Sequence, residues 1–257
     1  MVAVRSPFPM SFIQKLEAIA IDTYEQIINR ELMAWKKKIL RKSGTFERMS
    51  KTAQNKMNTF IPKKVHGVIT ESVRNLVEAV LKGSKFVSKE RDVSCLNLQQ
   101  KDQWVKETIV TYRKTAVIEG AGTGAGGILL GLADFPLLLS IKMKLLFEIA
   151  GLYGFDAKKY EERLFILHIF QLAFSGEEKR RETLDIIEHW NETEHTRELD
   201  WQEFQQEYRD QIDFVKMFQL VPGIGAAVGA YANHQLLEQL GETAMNGYRL
   251  RILSEKE

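Results

Sequence analysis

The part of the sequence that most constrains the fold is an apolar, glycine-rich run at residues 120–141, GAGTGAGGILLGLADFPLLLSI. This run contains one charged side chain, Asp134. A second run at residues 217–237, MFQLVPGIGAAVGAYANHQLL, has no Asp, Glu, Lys or Arg. Each run is close to the ~20 residues that a helix needs to cross a bilayer. Two environments therefore suit each run, a buried protein core and a lipid bilayer.

Small residues recur four positions apart in both runs. The pairs are Gly120 with Gly124, Gly127 with Gly131, and Gly225 with Gly229. Glycines at this spacing let two helix backbones approach closely, a geometry favoured at helix interfaces in membranes. In water, each glycine inside a helix costs about 0.5–1 kcal/mol relative to alanine, so close packing has to offset that cost. We therefore expect two glycine-rich helical segments that pack against each other.

Asp134 is the single residue with the most specific chemistry, because it lies in an apolar run just before Phe135-Pro136. An ionised carboxylate in such surroundings needs a partner or hydrogen bonds. The Asp-x-Pro order suits a helix start, so we expect Asp134 to cap a helix that has Pro136 in its first turn. The alternative is a polar contact for a ligand or an intramembrane partner.

Helical periodicity dominates the rest of the chain, and no alternating strand pattern of convincing length is present. The pattern predicts a helix over 11–42, a helix that begins at Pro62 and ends at Gly83, a helix that resumes near Leu98, and a helix that opens at Phe155-Asp156. The expected fold class is all-α, a helical bundle with the two glycine-rich apolar segments packed together. Residues 1–23 are expected to be an N-terminal extension, and residues 24–257 a single domain with a loop near 84–97.

Composition narrows the classes of function. The chain has 257 residues, a net charge of +2 and 44% hydrophobic residues, which predicts a packed core and argues against a nucleic-acid-binding protein. A single cysteine, Cys95, excludes an internal disulfide framework and a cysteine-clustered zinc site. The N-terminal residues have no apolar run of signal-peptide length, so the expected location is cytoplasmic, with peripheral attachment to the inner membrane face as a further option.

Charge is unevenly distributed along the chain. Residues 1–66 contain 13 Lys and Arg against 5 Asp and Glu, whereas residues 177–213 contain 5 against 13. The densest basic cluster comprises Lys36, Lys37, Lys38, Arg41 and Lys42. Such a cluster suits an anionic lipid surface, and it also suits a solvated helix face. The sequence predicts a basic surface here and leaves both interpretations open.

Patterns typical of enzymes are weak. Gly122, Gly124 and Gly127 match G-x-G-x-x-G, but Pro136 interrupts the following segment and no second strand is evident. Glu192 and His195 form one Glu-x-x-His pair, whereas a di-iron bundle needs two. No catalytic residue, metal ligand or cofactor is therefore predicted. A small-ligand-binding or hydrolytic enzyme that uses the glycine-rich segment and Asp134 is the competing hypothesis.

The string EGAGTGAGGILLGLADFPLLLSIKMKLLFEIAGLYGFD at residues 119–156 resembles the EcsC protein family, as does FVKMFQLVPGIGAAVGAYAN at residues 214–233. The resemblance extends over most of the chain, roughly from Tyr24 onward. The positions that match the family are Gly120, Gly124, Gly127, Asp134, Pro136, Tyr153, Gly154, Pro222, Gly225, Gly229 and Asn233.

The resemblance implies no catalytic role for any of these residues, since the biochemical activity of the family is not established. The family is named for a protein encoded beside the subunits of an ABC transporter. It therefore implies a non-enzymatic accessory or regulatory protein whose partners are ABC transporter subunits or the anionic inner face of the membrane. Neither nucleic acid nor a particular oligomeric state is predicted.

Overall fold

The computed structural model describes residues 10–41, 63–83, 86, 91–124, 135–192 and 225–255. These ranges contain seven α-helices and no β-strand. The helices are α1 Met10–Ile39, α2 Lys63–Lys82, α3 Leu98–Gly124, α4 Phe135–Tyr153, α5 Tyr160–Phe174, α6 Glu177–Glu188 and α7 Gly225–Ser254. The predicted all-α class is confirmed. None of the helices in these ranges combines the length and the apolar character that a membrane crossing requires.

The chain divides into two compact units, Met1–Ile39 and Leu40–Glu257. Helix α1 belongs to the first unit. Among residues 23–39 of α1, whose side chains are described, the buried ones are Ile28, Leu32 and Trp35, which recur at the spacing of one helical face. The amphipathic pattern of the sequence therefore corresponds to a real division between buried and exposed faces of α1.

In the second unit, α7 is the central helix and contacts α3, α4, α5 and α6. Helix α5 is buried almost all round, with twelve of its fifteen residues inaccessible. A helix that is apolar on every side is stable in water only inside a core, so α5 and α7 together form the centre of the bundle. Helix α2 covers α4 and α5, and α6 packs on α5 and α7.

Helices α3 and α7 approach closely where Gly241 faces Ile109. A β-carbon built at Gly241 would lie 2.6 Å from Cγ1 of Ile109, well inside van der Waals contact. Only glycine permits this approach without a shift of one helix. Arg113 of α3 strengthens the same contact, since it donates to Nε2 of His234 at 2.7 Å and pairs with Glu238 at 3.0 Å on α7.

The end of α4 corrects one prediction. The sequence predicts a helix that opens at Phe155, but Phe155 belongs to the end of the preceding helix. Its N–H donates to the carbonyl of Ala150, and the N–H of Gly154 donates to that of Gly151. This is the Schellman motif, in which Gly154 takes a positive φ of 95°. The next helix, α5, therefore starts only at Tyr160.

Candidate functional site

The basic surface of α1 is the first feature with functional potential. Arg30 and Lys37 are both exposed and lie seven positions apart, which is nearly two full turns, so they share one face of the helix. Lys38 is exposed beside them. We call Arg30, Lys37 and Lys38 the basic surface of α1. Arg30 and Lys37 lie on the side opposite the buried stripe of Ile28 and Leu32, and Lys38 lies on the flank between the two.

Apolar side chains accompany this basic surface. Met33 is 72% exposed and Ile27 is 45% exposed. Exposed apolar side chains on a helix that also carries Lys and Arg are found in helices that lie in the interface of an anionic membrane. Of the basic cluster predicted from the sequence, Lys36 is partly buried, Arg41 is exposed just after α1, and Lys42 lies outside the described residues.

The second feature is a buried polar network in the core of the second unit. Asp102 of α3 accepts hydrogen bonds from both Nε and Nη2 of Arg249 on α7, at 3.0 and 2.8 Å. The other carboxylate oxygen of Asp102 accepts the hydroxyl of Tyr153 at 2.5 Å. Asn246 accepts a further bond from Arg249 at 3.1 Å. Because an unpaired buried charge is costly, this set of bonds holds α3, α4 and α7 in one arrangement.

A second buried pair lies two residues further along α7. Arg251 contacts Glu162 of α5 at 2.6 Å, and Tyr248 donates its hydroxyl to the same carboxylate at 2.6 Å. Burial raises the pKa of Glu162, and the adjacent Arg251 and the Tyr248 hydroxyl oppose this rise. The guanidinium of Arg251 also lies over the ring of Phe155, 4.2 Å from its centroid. Glu162 and Asp102 are therefore both committed to structural bonds.

A cleft of about 460 Å³ opens next to this network. Its walls come from the loop at residues 91–94, from Lys101 at the start of α3, and from the end of α4 with the turn at 154–158. Tyr153 belongs to both features, because it lines the cleft and donates its hydroxyl to the buried Asp102. The floor of the cleft is thus fixed by the core of the bundle.

Local hydrogen bonds hold the walls of the cleft. Lys101 donates to the carbonyl of Tyr153 at 3.0 Å, which satisfies one of the carbonyls left unpaired at the end of α4. Asp92 accepts from the N–H of Ser94 at 3.1 Å, and Asn97 and Gln100 exchange reciprocal bonds in a capping box that begins α3. The cleft is therefore lined by ordered turns.

The ionisable side chains that line the cleft include both basic and acidic groups. Burial lowers the pKa of Lys101, while two hydrogen bonds from Ser94 lower the pKa of Asp92. Arg91 is paired with Glu148 at 3.1 Å. Within the described ranges, no group of three or more His, Cys, Asp or Glu side chains is placed to hold a metal ion. The chemistry that the cleft offers is recognition of charged and apolar groups.

The residues singled out from the sequence are divided among several places. Gly120 and Gly124 lie in the last turns of α3, and Pro136 is exposed in the first turn of α4. Gly225, Gly229 and Asn233 lie in the first turns of α7. Four residues lie outside the described ranges: Gly127, Gly131, Asp134 and Pro222. Although α3 and α7 pack together, contact between their glycine-rich segments stays a prediction, as does the capping role of Asp134.

Sequence reasoning missed the buried network. Asp102 lies on the apolar stripe of α3, four residues after Leu98 and seven before the buried Ile109. A charged residue at an apolar position of a helix was the available signal. Tyr153 and Gly154 were named only through the family resemblance, and nothing local distinguished Arg249.

Known proteins resemble the chain over most of its length. The model of the EcsC protein family matches residues 26–253. "Protein EcsC" of Bacillus subtilis (strain 168) is 54% identical over 233 residues, which cover 91% of this chain and 98% of the relative. "Uncharacterized protein YdbA" of the same organism is 26% identical over 259 residues, covering 91% and 94%. No solved structure matches the chain. The chain belongs to the EcsC protein family.

Proposed function

We propose that this chain is a non-enzymatic accessory or regulatory protein that works by contact at the inner face of the cell membrane, in association with an ABC transporter. The observation that supports this most is the basic surface of α1, where Arg30, Lys37 and Lys38 are all exposed. Each basic residue close to an anionic leaflet contributes about 1 kcal/mol to binding. The three together would contribute about 3 kcal/mol, and Met33 supplies an exposed apolar side chain beside them.

The charge of the surrounding sequence also favours contact with an anionic membrane. Residues 1–66 contain 13 basic and 5 acidic residues, so the sequence that includes α1 carries an excess of positive charge. Salt screens such attraction beyond roughly 8 Å at physiological ionic strength. Binding through this surface is therefore expected to weaken as salt is added.

A function through contact, without catalysis, also agrees with the way in which the buried carboxylates are bonded. Asp102 and Glu162 each accept a tyrosine hydroxyl and pair with an arginine. Groups held in this way position helices, and they are poorly suited to exchange protons with a substrate. The association with an ABC transporter rests on the family, which is named for a protein encoded beside transporter subunits.

Flotation with vesicles tests the membrane contact. The full chain should float with vesicles that contain phosphatidylglycerol and should not float with pure phosphatidylcholine. Charge reversal at Arg30→Glu, Lys37→Glu and Lys38→Glu should abolish flotation. A matched control reverses Lys106, Lys114 and Lys144, which are exposed on α3 and α4, with the same change in net charge. Equal loss of flotation in both variants would show that net charge alone causes the binding, and it would contradict the proposal.

Co-purification tests the transporter contact. A tagged chain, expressed together with the ATPase and membrane subunits of an ABC transporter from the same cell, should retain them after detergent extraction. Retention of neither subunit, with flotation intact, would remove the transporter from the proposal and leave the membrane contact standing.

A further inference from the structure

The cleft at the end of α4 has the size and the balance of charge of a ligand site that is separate from the basic surface of α1. Its volume of about 460 Å³ lies within the ~300–1,000 Å³ range of small-molecule sites. Its apolar wall includes Phe147, Val93 and Ala157, each at most 8% exposed. A cleft with one apolar wall and a few converging polar groups is the usual form of such a site.

The charges that line the cleft decide the kind of ligand. Arg91 is neutralised by Glu148, which lies outside the lining. The lining also contains two lysines and two aspartates: Lys101, Lys158, Asp92 and Asp156. An anion or a cation alone would meet as many like charges as opposite ones. A ligand that has one charge of each sign complements the lining.

We propose that the cleft binds a free α-amino acid with an apolar side chain. Its carboxylate contacts the ammonium of Lys101, its ammonium lies at the carboxylates of Asp92 and Asp156, and its side chain packs on Phe147. The carboxylate of Asp156 can accept a hydrogen bond from the ligand ammonium. Its Oδ1 accepts the backbone N–H of Lys158, and this bond leaves the second oxygen to other donors.

Lys101 is the anchor of this arrangement. An ammonium has three N–H donors, and Lys101 directs one of them to the carbonyl of Tyr153 at 3.0 Å. Burial lowers its pKa, because the charged form is partly desolvated. A carboxylate that enters the cleft compensates that charge, so occupancy and protonation of Lys101 favour each other.

Calorimetric titration of the full chain with matched ligands tests the proposal. L-Phenylalanine should bind at least about tenfold more tightly than phenylalaninamide, which lacks the carboxylate, and than N-acetylphenylalanine, which lacks the ammonium. L-Alanine, which keeps both charges and lacks the aromatic ring, should also bind more weakly. No binding of phenylalanine, or equal affinity for all four compounds, would overturn the proposal.

Variants locate the binding in the cleft. Lys101→Met should weaken phenylalanine binding about tenfold and remove the preference for phenylalanine over its amide. Lys106→Met, one turn further along the exposed side of α3, should change neither. If Lys101→Met fails to fold, the ligand series with the unmodified chain still decides. Unchanged selectivity in a folded Lys101→Met variant would contradict the assignment of Lys101.

Discussion

Asp102 and Arg249 lie 147 positions apart in the sequence and are joined by two hydrogen bonds in the core, with both side chains 1% exposed. The pair fixes the start of α3 against the last turns of α7. Removal of one partner leaves the other charge buried without compensation, which typically costs about 3–5 kcal/mol.

Substitution of either partner therefore has a specific expected result. Asp102→Asn should lower the free energy of unfolding by about 3–5 kcal/mol, measured by urea denaturation. The double variant Asp102→Leu with Arg249→Met should recover most of that loss, because no charge stays buried. Glu78→Gln, which removes an exposed pair with Arg74 on α2, is the control and should have little effect. A loss in Asp102→Asn as small as in this control would contradict the structural role of the pair.

The close approach of α3 and α7 predicts the effect of a β-carbon at Gly241. Alanine normally stabilises a helix by about 0.5–1 kcal/mol relative to glycine. At Gly241 the clash with Ile109 should reverse the sign and destabilise the fold by about 1–3 kcal/mol in denaturant titration. Ile109→Ala in the same chain should relieve the clash. Gly67→Ala on α2, where a β-carbon would meet nothing within 4 Å, should be neutral or stabilising. The same response at both glycines would rule out the close approach.

Lys142 predicts a dependence of stability on pH. It is buried in α4 with its ammonium 5.1 Å from the centroid of the Phe174 ring, and burial lowers its pKa to about 8. The unfolded chain keeps this proton up to pH ~10.5, so between pH 8 and 10.5 the folded state binds fewer protons and stability rises with pH. Below pH 8 the burial penalty is present in full.

The variant Lys142→Met isolates this effect. It should be more stable than the unmodified chain at pH 7 by about 3 kcal/mol, and the difference should shrink as pH rises from 8 to 10.5. Lys144→Met, an exposed position on the same helix, should show no such trend. Urea denaturation at several pH values measures both. A constant difference across this pH range would show that the Lys142 proton is not the cause.

Gly154 predicts a cost of backbone strain separate from any clash. Its φ of 95° is unfavourable for residues with a side chain, although ordinary space is available around it. Gly154→Ala should therefore lose about 1–2 kcal/mol of stability, and Gly154→Asn should lose less, because asparagine tolerates positive φ better. Thermal and urea denaturation give both values. Alanine and asparagine variants as stable as the unmodified chain would exclude strain at this turn.

Local sequence patterns predicted the helices. The features that these patterns missed depend on contacts between residues that are far apart in the sequence. The stop at Gly83 and the start of α3 near Leu98 follow from capping and periodicity, both of which depend on adjacent residues. The start at Phe155 of the helix that became α5 was predicted wrongly, because the hydrogen bonds of a Schellman motif depend on backbone geometry that apolar spacing does not encode. No pattern relates Asp102 to a residue 147 positions away, and Gly241 has its effect only through Ile109. The cleft arises from the same long-range packing.

The most direct test of the proposed membrane contact places a probe on α1. In a Cys95→Ser background, Met33→Cys would hold an environment-sensitive fluorophore beside the basic surface of α1, and Lys106→Cys would hold it on α3. With vesicles that contain phosphatidylglycerol, the Met33 probe should shift its emission to shorter wavelength, and added salt should reverse the shift. The Lys106 probe should not respond. An unchanged Met33 emission at saturating anionic lipid, or equal shifts at both positions, would contradict contact through α1.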